Sequence, residues 1–137
     1  MTEQQIYDKL LPLITEITGA RPEQIAMQSN LVQDLGAESI DLLDLSFLIE
    51  ESFGVGIDSD EFEQQAKLSM NGGEYARDGV LTDEAIEQLK QKLPEIPPEQ
   101  FHPGLKKVEI PGLLNIAVFV HLIQRKLDKK KLEASHA

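Results

Sequence analysis

Residues 34–41 read Asp34-Leu35-Gly36-Ala37-Glu38-Ser39-Ile40-Asp41, and they place a serine between a glycine turn and an acidic segment. We predict that a helix begins at Ser39. The N-terminus of a helix offers unpaired N–H groups and a partial positive charge, so Ser39 is well placed to carry a phosphodiester. Serine is also a leading N-cap residue, and the position taken alone favours that plainer role.

The residues after Ser39 predict a helix that runs to Phe53 and is ended by Gly54. Its apolar residues recur at helical spacing and predict a face that packs on a core. This core-facing stripe consists of Leu42, Leu45, Ile49 and Phe53.

A second apolar face of the same helix contains Ile40, Leu43 and Phe47, since these residues also fall together at 100° per residue. The window 34–63 around it has ten acids and no base, namely Asp34, Glu38, Asp41, Asp44, Glu50, Glu51, Asp58, Asp60, Glu61 and Glu63. Apolar contact provides affinity and acids steer a basic partner, so we predict a docking surface here. In the alternative, the apolar residues close a broad core and the acids form its solvated rim.

Three further helices are predicted. The first follows a capping box of Thr2 and Gln5 and ends at Gly19. Another runs from Thr82, a suitable N-cap, to about Leu93. The last begins near Pro111 and continues to about Leu132. No strand pattern competes with these helices, so the predicted fold class is all-α.

Composition narrows the function further. A chain of 137 residues has room for a single domain, and its net charge of -11 argues against nucleic acid as a partner. No cysteine is present, which excludes a disulfide framework, a zinc–thiolate site and a cysteine nucleophile. No apolar run is long enough for a membrane span, and the start lacks the pattern of a signal peptide. We therefore expect a cytoplasmic protein.

These features together resemble the acyl carrier protein family. Its motif is Asp-Ser-Leu after a glycine, and here Glu38 and Ile40 flank Ser39 as mild departures. The resemblance covers residues 2–63 well and 106–130 loosely. It implies a bundle of three longer helices plus one short helix, with 4'-phosphopantetheine attached covalently to Ser39. The arm would supply the thiol that the sequence lacks and carry acyl groups as thioesters.

The resemblance also implies partners: a phosphopantetheinyl transferase and enzymes of fatty-acid, specialised lipid or polyketide synthesis with basic docking surfaces. The expected docking residues are Asp34, Glu38, Ile40, Asp41, Leu43, Asp44, Phe47, Glu50 and Glu51. No catalytic or metal-ligating residue is expected. Two other interpretations stay open, a freestanding aminoacyl or peptidyl carrier and a non-carrier acidic binding module in which Ser39 only caps the helix.

Residues 64–105 depart from the family, whose second and third main helices are joined by a brief link. We interpret them as an insertion into a single carrier domain of residues 1–137. The last helix is apolar on nearly all sides and needs a cover. We expect the insertion to provide that cover through Ile86, Leu89 and Leu93, with dimerisation as the competing explanation, so the chain should be a monomer or a weak dimer.

Two smaller features carry plainer expectations. His102 and His121 show no metal-ligand spacing and lie near no serine or cysteine in the sequence, so both are predicted to be structural. Residues 58–63 resemble part of a calcium loop but lack its glycine and spacing. We expect a solvated acidic face there, with loose divalent-ion binding at most.

Overall fold

The structure is a computed structural model that describes residues 1–58 and 60–135. Within them the chain forms five α-helices: α1 Glu3–Thr18, α2 Ser39–Phe53, α3 Glu61–Leu68, α4 Asp83–Lys92 and α5 Ile116–Ser135. An antiparallel hairpin pairs β1 Ala76–Arg77 with β2 Val80–Leu81, and 3-10 turns lie at Pro22–Gln24, Pro98–Gln100 and Lys107–Leu113. The predicted all-α class is confirmed, with α1, α2 and α5 as the longer helices and α3 as the short one.

The ends of α1 and α2 follow from local signals. The Thr2 hydroxyl accepts a hydrogen bond from the Gln5 amide at 3.1 Å, and the Gln5 side chain accepts one from the Thr2 amide at 2.8 Å, as the capping box predicts. Gly54 ends α2 in the left-handed region, with a φ of 74°. Only glycine adopts this conformation without steric cost, so the helix ends where the sequence predicts.

The main bundle is built on α1, which packs against both α2 and α5. Its apolar stripe of Ile6, Leu10 and Ile14 is buried between them. The opposing face of α2 buries Leu45, Ile49 and Phe53, the core stripe expected from helical spacing. This packing leaves the start of α2, with Ser39, at the surface of the bundle.

The predicted absence of strands is wrong for residues 76–81, which form the small hairpin. Its turn holds Asp78 and Gly79 at φ values of 51° and 79°, the left-handed conformation that tight hairpin turns require. The later chain extends the pairing: the Leu81 amide donates to the Leu105 carbonyl, and the Lys107 amide donates to the Gly79 carbonyl. Such short pairing leaves no periodic pattern in a sequence.

The last helix begins later than predicted. Pro111 lies in the 3-10 turn Lys107–Leu113, and α5 starts at Ile116. Asn115 caps it, because its side-chain oxygen accepts a hydrogen bond from the Val118 amide at 3.0 Å. Asparagine is among the strongest N-cap residues, and here it prevailed over the proline signal. The helix extends to Ser135, beyond the expected end at Leu132.

The expected cover of α5 is wrong in its main contact. The helix α4 packs chiefly against α3, while α5 packs chiefly against α1. Ile86, Leu89 and Leu93 are buried, as expected, but on a helix that returns beside α3 after a short hairpin. The chain after α4 does reach α5, since the Glu95 carbonyl accepts a hydrogen bond from the Asn115 side chain at 2.9 Å.

One hydrophobic cluster extends through the bundle and the segment 64–105. It contains core residues of α1, α2 and α5 together with residues of that segment, among them Tyr75, Leu81, Ile86, Leu89, Leu93, Ile96 and Phe101. The helix α3 crosses residue 64 without interruption. The segment therefore shares its apolar core with the bundle.

His121 joins α5 to α1 and to the segment after α4. Its Nδ1 lies 2.7 Å from a Glu95 oxygen and its Nε2 lies 3.1 Å from a Glu3 oxygen. Burial by itself lowers the pKa of His121, but the hydrogen bonds and charges of Glu95 and Glu3 raise it above the ordinary value of 6.5. This arrangement agrees with the predicted structural role.

The raised pKa of His121 makes stability depend on pH. A group whose pKa is higher in the folded state contributes fully below the unfolded value and loses that contribution as pH rises through the folded value. We expect the free energy of unfolding of the wild type to fall from pH 6 to pH 9 relative to His121→Gln, in urea titrations. His102→Gln, at an exposed position, should follow the wild type, and parallel profiles for all three chains would contradict the role of His121.

Candidate functional site

Ser39 is the first residue of α2 and is exposed to solvent. The N-cap position belongs to Glu38, whose amide donates to the Asp41 carboxylate at 2.8 Å. The Ser39 hydroxyl makes no hydrogen bond with any residue that the structure describes. Ser39 therefore does not cap the helix, and the plainer of the two roles considered for it is excluded.

The loop that leads to Ser39 is fixed by hydrogen bonds around Asn30. The Asn30 side-chain oxygen accepts from the amides of Val32 and Gln33 at 3.0 and 2.9 Å. Its backbone amide donates to the Asp34 carboxylate at 2.8 Å. Gly36 then turns the chain with a φ of 74°. Asp34, expected among the docking acids, thus has a role in shaping this loop.

The same loop is tied to the chain just before α5. The Asn30 side chain donates to the Gly112 carbonyl at 2.8 Å, and the Leu31 amide donates to the Leu114 carbonyl at 3.2 Å. Gln33 makes a further bond to Gly112 at 2.9 Å. The position of Ser39 therefore depends on residues about 80 places later in the sequence.

A cavity of about 400 Å³ lies beside Ser39. It has the size of a small-molecule pocket and is mostly apolar. Its apolar walls come from α2, α3, α5 and the chain around the 3-10 turn, and they include Leu42, Leu43, Ile57, Phe62, Ile110, Leu114 and Phe119. A wider, open cleft of about 900 Å³ lies on the other side of Ser39, between the loop 32–39 and residues 100–113.

Polar groups also line the cavity, and the sequence did not single them out. Lys107 pairs with Glu63 at 2.6 Å. Tyr75 comes from the segment 64–105 and is 5% exposed. Burial, with the charge of Glu63, raises the pKa of Tyr75 to about 12. These residues meet only because the segment 64–105 folds back on α3, so no local motif could have indicated them.

The second apolar face of α2 is exposed, as its spacing predicted. Ile40, Leu43 and Phe47 are 64%, 53% and 61% exposed, although side chains of this kind are usually buried. Exposed acids surround them on the same helix, namely Glu38, Asp44, Glu50 and Glu51, while Asp41 is half-buried. The described residues place no cation within salt-bridge distance of these acids.

The acidic segment 58–63 differs from the expected solvated face. Glu61 is buried and accepts a hydrogen bond from Lys126 at 2.8 Å. Burial alone raises the pKa of Glu61, but this bond, the amide of Asp58 and the charge of Lys126 lower it below its usual value. Ser59 lies outside the described residues. Across residues 1–58 and 60–135, no group of three or more His, Asp or Glu side chains could hold a metal ion.

His102 is exposed and borders the open cleft, where its Nδ1 lies 3.0 Å from the Pro103 carbonyl oxygen. It lies near the site without a contact to Ser39 in the described structure. None of the described helices is long and apolar enough to cross a membrane.

Comparison with known proteins gives the family. A family model described as "Phosphopantetheine attachment site" matches residues 8–70. The acyl carrier protein of Guillardia theta is 38% identical over 68 residues, which cover 50% of this chain and 84% of that relative. Those of Thermotoga maritima and Cyanidioschyzon merolae are 35% and 39% identical over 63 and 64 residues, or 46% and 47% of this chain and 78% and 70% of theirs. With Ser39 inside the matched residues, this chain belongs to the acyl carrier protein family.

Proposed function

We propose that Ser39 is the attachment site of the 4'-phosphopantetheine arm, through which this acyl carrier protein holds acyl groups. The observation that carries this assignment is the exposed, unpaired hydroxyl of Ser39 at the first residue of α2. When attached, the arm supplies the thiol that a chain without cysteine lacks. The intact mass of the chain after co-expression with a phosphopantetheinyl transferase tests the assignment.

The residues around Ser39 fit a phosphate ester. The backbone amides of Ser39 and Ile40 belong to the first turn of α2, where N–H groups lack helical partners, and the described structure gives them no other acceptor. Such amides and the positive end of the helix favour a phosphate. The nearby Asp41 carboxylate is held by the Glu38 amide.

The cavity beside Ser39 fits an acyl chain. Its mostly apolar walls would shield methylene groups from water. Tyr75 comes from the proposed insertion 64–105, and Lys107 and Ile110 follow directly after it. We infer that the insertion reshapes the pocket in which this carrier holds its chain.

For partners we propose a phosphopantetheinyl transferase and acyl-chain synthesis enzymes with basic docking surfaces. The apolar face of Ile40, Leu43 and Phe47 and the acids around it support this proposal, because exposed apolar residues within a charged rim are typical of interfaces. We propose that the chain has no catalytic activity of its own and acts in the cytoplasm.

The docking surface makes a prediction about salt. Changing both Asp44 and Glu51 to Lys should slow arm transfer by the transferase about tenfold or more at low ionic strength, since it reverses charges that steer a basic partner. The loss should shrink as salt is added, because exposed charges are screened. The unfolding free energy should change by no more than about 0.5 kcal/mol.

Glu16 and Glu87 offer a matched control, as both are exposed and lie on other helices. Changing both to Lys alters the net charge by the same amount but leaves α2 intact. This double variant should keep the transfer rate of the wild type. Equal slowing in the two double variants would mean that net charge matters and that the face of α2 does not.

A further inference from the structure

The cavity beside Ser39 combines apolar walls with a buried hydroxyl that nothing satisfies. Tyr75 lines the cavity, is 5% exposed, and its hydroxyl has no hydrogen-bond partner among the described residues. Buried polar groups in proteins are nearly always paired, because an unmade hydrogen bond in the interior is costly. A pocket that leaves one polar group unpaired is built to receive a ligand atom that pairs with it.

The Tyr75 ring is held in place by its surroundings. The amines of Lys67 and Lys107 lie 5.7 and 5.9 Å from its centroid, within the range of cation–π attraction. The Thr82 amide donates to the Tyr75 carbonyl at 3.0 Å and fixes the backbone. The hydroxyl is therefore a positioned group that can donate and accept.

The other polar groups of the cavity select among polar ligands. Lys107 is already neutralised by Glu63 at 2.6 Å, and the nearby Asp58 and Asp60 are also acidic. The cavity thus has no unpaired cation for a carboxylate, and its acids repel one. Against an uncharged oxygen, in contrast, neither the charges nor the apolar walls work.

We propose, resting on the proposed function, that the acyl chains which this carrier shelters bear a hydroxyl or oxo oxygen that hydrogen-bonds to Tyr75. A fully saturated chain of equal length fills the apolar walls but leaves the Tyr75 hydroxyl unpaired. An oxygenated chain satisfies both. The insertion that brings Tyr75 to the cavity is thereby a determinant of cargo chemistry.

The test compares chains of one length loaded on the whole protein. A broad-specificity phosphopantetheinyl transferase attaches the arm with a decanoyl chain, or with a decanoyl chain hydroxylated at C3, C5 or C7. Urea unfolding then measures the equilibrium constant of each form. A neutral hydrogen bond of ordinary net strength corresponds to roughly a fivefold change in an equilibrium constant. At least one hydroxylated chain should stabilise the fold about fivefold more than decanoyl does.

Two variants locate the effect. Tyr75→Phe keeps the ring and removes the hydroxyl, so the excess stabilisation should disappear while the effect of decanoyl persists. Tyr7→Phe removes a hydroxyl that bonds to the Ile25 carbonyl elsewhere, so it should lower the stability of every form and keep the excess. In the wild type, an NOE should join the proton on the hydroxylated carbon to the Tyr75 ring, and this measurement needs no variant.

The proposal is overturned if no hydroxylated chain exceeds decanoyl in the wild type, or if the excess survives in Tyr75→Phe. Stabilisation by decanoyl with no excess for oxygen would leave the carrier assignment standing and remove only this inference. A chain that accepts no arm at all would instead overturn the assignment of Ser39, and the cargo proposal with it.

Discussion

Co-expression with a broad-specificity phosphopantetheinyl transferase should add one phosphopantetheine to this chain, and Ser39→Ala should abolish the addition completely. The reason is chemical, since the substitution removes the only atom of this residue that could form the phosphodiester. The fold should remain intact, because the hydroxyl makes no hydrogen bond within the described structure and Glu38 provides the N-cap. Intact-mass measurement gives the result directly.

Ser46 provides the matched control on the same helix. It also lines the cavity, but it is half-buried and its hydroxyl donates to the Leu42 carbonyl at 3.1 Å. Ser46→Ala should therefore accept the arm as the wild type does. An arm that persists in Ser39→Ala would refute the assignment, and a wild-type chain that no transferase modifies would favour the acidic binding module.

Leu89→Ala should destabilise the whole protein by about 2–5 kcal/mol, a large part of the roughly 5–15 kcal/mol that holds a domain together. Leu89 lies on α4 inside the segment 64–105 and is fully buried. Because that segment shares one hydrophobic cluster with the bundle, we propose a single domain over residues 1–137. Urea unfolding should then show one transition, followed equally by probes in α2 and in α4.

Leu68→Ala is the control for this second experiment. Leu68 lies at the end of α3 and is 86% exposed, so its truncation should have little effect on unfolding. If Leu89→Ala produced a separate early transition and left the bundle unchanged, residues 64–105 would be a detachable appendage. The proposal that they shape the acyl pocket would then fail.

Local signals account for what the sequence predicted well. The bounds of α2, from Ser39 to Phe53, follow from its spacing and from Gly54, and the start of α4 follows from Thr82 as N-cap. The two faces of α2 are likewise a matter of helical spacing within a single element. Each of these features depends on residues within a few positions of one another.

Features that depend on distant residues were missed. The start of α5 moved from Pro111 to Ile116 because Asn115 caps the helix while the preceding residues pair with the loop before Ser39. The packing of α4 on α3, and with it the place of Tyr75 in the cavity, requires the hairpin to bring α4 back. The attachment at Ser39 and the docking role of α2 remain predictions.

The ties between Asn30 and the chain before α5 also govern the order in which the site can form during synthesis. The motif around Ser39 leaves the ribosome early, but its loop binds Gly112 and Leu114, which follow about 80 residues later. At a typical 5–20 residues per second, that interval lasts roughly 4–16 s. Until it has passed, the serine has its helix signal but not its fixed loop, so the finished geometry of the site is a property of the nearly complete chain.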